Sequence, residues 1–491
     1  MSSYSRASRS ASSFSLFARS MMQDEFLPLC EVVQEELFEQ ACEEFELGFG
    51  AQDDAVYTPA LVLWALVSQV LFSGEQRSCT AAVTRIASWW ATQGRLVDNT
   101  NTGAYCRARS KIPFELVRHL CRAIAQRVEA AVAEQEPQDA QQAQAMQTPE
   151  TLAEVQTGKT AGRMILVDGF TIDAADTPAN QAEFPQNPAQ APGIGFPILR
   201  CVSLISMSSG MLLDLAVGPY SGKETGETAL LRQMLDTLQE GDVLVADGYY
   251  CTYWLLAMCQ SRGVQVLMKN HHRREDHPST ARRISKVQRL VTLKRPQRPD
   301  WMSEEEYAAI PSQIILRLVD VQVDPPGFRT EGFTVATTIL DHRHYTREWI
   351  ASVYRSRWLV ELDIRAIKCN LGMEHLRAKS PPMVRTELWS CLLAYNLIRM
   401  KMLQSGIGAA RSVRSMSFTR TLTLLATNWL MCAALGLNET QVKFAQQQPL
   451  DEVVGHRPDR CEPRANKRRP KVLALMTLPR AQFKAQLAVA A

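Results

Sequence analysis

Along the first 135 positions the apolar residues recur every three or four places, the period of helices with one buried face. Residues 79–90 (CTAAVTRIASWW) and 114–131 show it most clearly, with a turn signal between Asn99 and Gly103 separating them. After a polar stretch the pattern changes. Residues 164–167 are an aliphatic run ending at Asp168, 198–207 and 211–217 are strand-like around the turn 208–210, and 228–238 has helical spacing. A second aliphatic run, 242–246, ends at Asp247, and a helix over 253–262 and a strand over 264–268 follow. Three further segments, 285–293, 313–323 and 333–340, alternate with period two between Pro- and charge-rich loops. Helical spacing returns over 346–369, 384–402 and 418–435.

This order predicts an α/β fold: a ribonuclease-H-like core over 161–274 and 344–402, interrupted by a β-rich insertion over 275–343. An α-helical N-terminal domain (26–135) precedes it, and an α-helical C-terminal region with a basic tail (403–491) follows. Residues 136–160 are rich in Gln, Ala and Glu and lack large apolar anchors, which predicts a linker. Residues 1–25, rich in Ser and Arg, read as a disordered leader.

With 46% hydrophobic and 21% charged residues the chain is globular in composition. The twelve cysteines are scattered without a CxxC pair, which favours buried free thiols in a reducing compartment. The longest apolar run, 60–72, contains Ser68 and Gln69 and suits a core helix rather than a membrane span. A net charge of +3 says little about partners, but the cations are clustered. Arg107 and Arg109 follow the turn at Gly103, Lys269, His271, His272, Arg273 and Arg274 follow a core strand, and 457–471 is a basic tail.

Asp168 and Asp247 share a local setting. Each closes an aliphatic run (MILV and VLVA) and precedes a glycine. A strand buried on both faces carries such a run, and an acid at its carboxyl end reaches the edge where ligands bind an α/β sheet. Two carboxylates there repel each other unless a cation lies between them, and Mg²⁺ takes such oxygen ligands. Asp-Gly is equally a common turn-forming dipeptide.

Downstream, YRSRWLVELDIRAIK places Tyr354, Arg357, Glu361 and Lys368 at offsets 0, 3, 7 and 14. At about 100° per residue they fall on one stripe of a single helix. One acid among a phenol and two cations suits a site where Glu361 completes metal ligation and its neighbours hold phosphates. A solvated face with i,i+4 pairs gives the same stripe.

This spacing, Tyr-x₂-Arg-x₃-Glu-x₆-Lys, matches the YREK signature of bacterial insertion-sequence transposases of the IS-four group, and the chain resembles that family over roughly 25–480. An Asp-Gly after the first strand, a second after the fourth, and a β-rich insertion before the Glu follow the same plan. Asp247 stands 79 positions after Asp168, and Glu361 another 114 on. The resemblance implies a DDE-type DNA transposase in which Asp168, Asp247 and Glu361 are catalytic ligands of two Mg²⁺ ions, with Mn²⁺ able to substitute. It implies that Tyr354, Arg357 and Lys368 contact transposon-end DNA. Trp301 of the insertion is then a candidate to stack on an extruded base, or else a small core anchor.

Terminal inverted repeats and target DNA are the implied partners, with dimerisation on paired ends, no membrane, no small-molecule cofactor, and a cytoplasmic, nucleoid-associated location in bacteria. Lys269, Arg273 and Arg274 are expected to grip phosphates, and Arg107 and Arg109 to read the repeats. Two other classes stay open: a catalytically inactive transposase-derived DNA-binding protein, and a ribonuclease-H-like nuclease that cuts without joining.

Overall fold

The computed structural model describes residues 14–23, 27–52, 54–143, 162–271, 281–323, 331–409, 411–451, 477–479, 481–483 and 485–486. The chain divides into two compact units. One comprises 1–147, 208–213 and 362–455, and the other 148–207, 214–361 and 456–491. The boundary at 147/148 falls within the expected linker 136–160, and the division near 361/362 lies inside the segment 344–402 assigned to the core from the sequence.

The second unit is built on a mixed nine-stranded sheet. Its strands are β1 (Met164–Asp173), β2 (Ile198–Ser206), β3 (Leu212–Pro219), β4 (Val243–Ala246), β5 (Gln265–Lys269), β6 (Arg282–Ser285), β7 (Gln288–Lys294), β8 (Gln313–Val323) and β9 (Glu331–Thr337). They run in the order β3-β2-β1-β4-β5-β9-β8-β7-β6. β4 lies parallel to both β1 and β5, while β2 pairs with β1 and β9 with β5 in antiparallel fashion. The VLVA run is β4, buried at every position because the sheet covers it from both sides. The later strands extend this sheet, since β9 docks directly on β5.

Several expectations change here. β1 does not end at Asp168 but continues to Asp173, held by β2 through the pairs Asp168↔Ser203 to Asp173↔Ile198. The segment expected as one strand over 285–293 is a hairpin, β6 and β7, turning at Lys286 and Val287. The helix Phe114–Ala143 runs into the expected linker and through Pro137, because Ala, Glu and Gln are strong helix formers. The rest of that linker, 144–160, lies outside the described residues.

The leader is also partly corrected. Residues Ser15–Ser20 form a helix whose Phe14, Leu16 and Phe17 are buried, with Phe17 edge-on to Trp429 at 5.8 Å. Phe14, Leu16, Phe17 and the buried Met21 outweigh the polar composition of the serines.

In the helical unit, Pro59–Leu71 is buried on nearly all sides, and Trp64 stacks on Trp429 at 5.6 Å. Pro381–Gly408 packs against this helix and against Phe114–Ala143. Asp363, fully buried, is paired with Arg399 at 2.5 Å and Arg414 at 2.7 Å. No described helix is long and apolar enough to cross a membrane.

Candidate active site

The parallel rungs of β1 and β4 pair Met164 with Val243, Ile165 with Leu244 and Leu166 with Val245. Asp168 and Asp247 lie two positions beyond the last of these rungs, Asp247 just past the end of β4 and within electrostatic reach of Asp168. The sequence separation of 79 is also the register offset of these rungs.

Asp168 feels this placement. Burial first, and then the nearby Asp247 and Glu227 carboxylates, push its carboxyl up to about 6. The Gly169 amide, donating at 2.8 Å, and the Arg357 guanidinium oppose the rise. A half-buried carboxyl among other acids is a place where a cation relieves repulsion.

The third acid arrives on the helical segment that begins at Arg347. Thr346 caps it, its hydroxyl accepting from the Trp349 amide at 3.2 Å, and the Arg347 guanidinium donates to the Asp320 carbonyl on β8 at 2.8 Å. The segment is not one regular helix. Arg347–Arg355 is followed by a 3₁₀ turn over Ser356–Trp358, a helix over Leu359–Arg365 and a π turn over Ala366–Asn370. The 3₁₀ turn overwinds the helix and the π turn underwinds it, so the straight stripe drawn from the sequence is interrupted twice.

Arg357 joins the elements. Its Nη2 donates to Glu361 Oε1 at 3.1 Å, and its Nη1 lies 3.8 Å from Asp168 Oδ2. Tyr354 stands behind it, 8% exposed, with its ring 5.1 Å from that of Phe333. Burial pushes the Tyr354 hydroxyl up to about 12, with the neighbouring Arg357 guanidinium opposing the rise. The Lys269 ammonium sits 5.2 Å from the Phe333 ring. Asp168, Asp247, Tyr354, Arg357, Glu361 and Lys269 therefore share one neighbourhood.

Lys368 falls within the π turn and in the helical unit, as do Arg107 and Arg109 at the end of the helix Thr102–Arg109. Arg273, Arg274 and the basic tail at 464–471 lie outside the described residues. Trp301 is not presented as a free platform. The Arg232 guanidinium covers it at 3.6 Å and Trp254 meets it edge-on at 6.3 Å, as befits an anchor.

The donor set has the chemistry of a hard divalent site: carboxylate oxygens with no sulfur among them. In this arrangement Arg357 occupies the slot between Asp168 and Glu361. Among the described residues, no three His, Cys, Asp or Glu side chains gather closely enough to enclose a metal ion. Asp168, Asp247 and Glu361 are the carboxylates available here to such an ion, and Arg357 stands between Asp168 and Glu361.

Glu227, Tyr250 and Phe333 had no signal in spacing or motif. Gly169 did carry one, because an isolated glycine within a strand marks a close approach. Its position inside β1, rather than at a turn, reveals the neighbour: a β-carbon there would collide with the Glu227 carboxylate.

Residues 159–397 match the family model described as transposase DDE domain. Over 250 residues the chain is 27% identical to the transposase InsG for insertion sequence element IS4 of Escherichia coli (strain K12), covering 49% of this chain and 52% of that protein. Over 67 residues it is 36% identical to the transposase for insertion sequence element IS421 of Escherichia coli, covering 14% and 18%. The chain thus aligns with about half the length of the first relative and less than a fifth of the second. Among solved structures it is similar to piggyBac transposase in a synaptic complex with hairpin DNA, at a TM-score of 0.43 and 10% identity, over 87% of this chain and 86% of that one.

Proposed function

We propose, from the transposase DDE domain that residues 159–397 carry, that this chain is a DNA transposase that binds the terminal inverted repeats of an insertion sequence, cleaves its ends and joins them to target DNA. One observation carries this proposal. Asp168 on β1 and Asp247 just past the end of the adjacent parallel strand β4 lie within electrostatic reach of each other, and Arg357 ties Asp168 to Glu361. In finer terms the sheet from β3 to β5 is a ribonuclease-H-like core, and 275–343 is its β-rich insertion.

Asp168, Asp247 and Glu361 would hold two divalent ions, Mg²⁺ with Mn²⁺ able to substitute. Such ions, when bound, lower the pKa of a water and offset charge on the attacked phosphate. The protein's own part is positioning. Glu361 is released for ligation as Arg357 turns from it to a DNA phosphate, two of whose oxygens the planar guanidinium is suited to hold. Tyr354, buried behind Arg357, limits how far that guanidinium swings. Lys269 lies close enough to hold a second phosphate.

Lys368 is proposed as a further contact to the ends, Arg107 and Arg109 as readers of the repeats, and Arg273, Arg274 and the basic tail as phosphate grips whose strength falls with salt. Dimerisation on paired ends and a cytoplasmic, nucleoid-associated location belong to the same proposal. The presence of every acid and cation of the signature favours it over an inactive DNA-binding remnant. The test is cleavage of labelled element-end DNA by the wild type and by Asp247→Ala and Glu361→Ala, with end binding followed in parallel by gel shift.

A further inference from the structure

Glu227 opens the short helix Glu227–Arg232, and its carboxylate is held from two sides. The Tyr250 hydroxyl donates to Oε2 at 3.0 Å, and Tyr250 is fully buried, which fixes where the donor stands. From the other side the carboxylate lies against the α-carbon of Gly169 so closely that any β-carbon would strike it. Gly169 pairs regularly with Val202 within β1, and its φ lies outside the left-handed region. Its lack of a side chain therefore serves Glu227 rather than a turn.

The two anchors are telling in sequence. Gly169 follows Asp168 by one residue, and Tyr250 follows Asp247 by three. Glu227 thus braces the two chain segments that carry the paired aspartates. It also sets a third carboxylate within electrostatic reach of Asp168. A hydrophobic or amide side chain would brace these segments without adding repulsion. Concentrated negative charge at this spot has a use only when a cation is bound.

We propose that Glu227 is a positioning residue for the divalent-ion site: braced by Tyr250 and Gly169, it fixes the separation of Asp168 and Asp247 and strengthens ion binding by its charge. This rests on the proposal that Asp168 and Asp247 are the ligands, and goes beyond it by naming a supporting acid on a different element.

The test is calorimetric titration of Mn²⁺ into the full chain without DNA, comparing wild type with Glu227→Gln, Glu227→Asp, Tyr250→Phe and Asp247→Asn. Loss of a supporting partner of a metal ligand costs about 10–100-fold in metal affinity, which is the expected weakening for Glu227→Gln. Tyr250→Phe is expected to weaken binding less, and Glu227→Asp to recover part of the loss.

Thermal melting without metal separates this role from a structural one. Glu227→Gln is expected to melt at or above the wild-type temperature, because repulsion is relieved. Wild-type Mn²⁺ affinity combined with a lowered melting temperature would overturn the proposal. Should Glu227→Gln fail to fold, Glu227→Asp and Tyr250→Phe carry the same comparison, and wild-type affinity in both would overturn it too. If Asp247→Asn binds Mn²⁺ like the wild type, the ligand assignment itself falls. If Asp247→Asn loses binding while Glu227→Gln keeps it within about twofold, only the role of Glu227 falls.

Discussion

Arg357 is paired with Glu361, Nη2 to Oε1 at 3.1 Å, so the chain sets a cation of its own on an oxygen proposed to bind an ion. Guanidinium and metal compete for the same oxygens. Arg357→Gln is therefore expected to bind Mn²⁺ more tightly than the wild type in the absence of DNA. A half-exposed ion pair is worth roughly 0.5–1 kcal/mol, which corresponds to about two- to fivefold in affinity. The same variant is expected to lose strand transfer, because the phosphate contact goes with it. Calorimetry and a joining assay on one preparation check both signs.

Tyr354 bears on the same contact from behind. Tyr354→Phe keeps the ring packing against Phe333 and removes only the hydroxyl, which lies within electrostatic reach of Arg357. Stability is expected to change by about 1 kcal/mol or less, whereas cleavage falls by about tenfold as Arg357 loses its guide. Paired melting curves and cleavage rates separate the two effects.

Asp168 makes the site sensitive to pH. Its folded carboxyl is raised to about 6 from 3.8, first by burial and then by Asp247 and Glu227, so between those values the folded chain holds the proton more firmly than the unfolded one. The stabilisation is complete below 3.8 and is lost as pH rises through about 6. With chelator present, the wild type is expected to lose melting temperature relative to Asp168→Asn over that window. Mn²⁺ affinity runs the opposite way, weakening below pH 6 because the ion must displace the proton.

Asp363 tests the helical unit apart from the chemistry. It is fully buried and bonded to both Arg399 and Arg414. Asp363→Ala leaves two buried guanidinium groups without their acid and is expected to cost about 3–5 kcal/mol. Denaturant titration measures the loss.

The core strands were legible in the sequence because each is an aliphatic run with period-two neighbours, and the signature helix because Tyr354, Arg357 and Glu361 keep helical spacing. What escaped was set by non-local pairing. The end of β1 depends on β2, where Asp173 pairs with Ile198, and the sequence around Asp168 carries no trace of it. The split of 285–293 into β6 and β7 depends on a turn at Lys286 and Val287 that lacks Gly, Pro or Asn. The buried helix at Ser15–Ser20 was hidden by its serines, although Phe14, Leu16, Phe17 and Met21 are what the core receives. At the candidate site the aspartates and Glu361 were legible in the sequence as candidates. The Arg357 bridge was not, because a pairing through space follows from tertiary placement.

The central claim is that Asp168, Asp247 and Glu361 act together as the carboxylates of a metal-dependent DNA-cleaving site. Its most direct measurement is the single-turnover rate of nicking on labelled element-end DNA in Mg²⁺, for the wild type against Asp247→Asn and Glu361→Gln, with gel-shift affinity recorded on the same samples. The expected result is a loss of at least about 10³-fold in nicking for each variant, with end binding retained. Near-wild-type nicking by either variant would contradict the account.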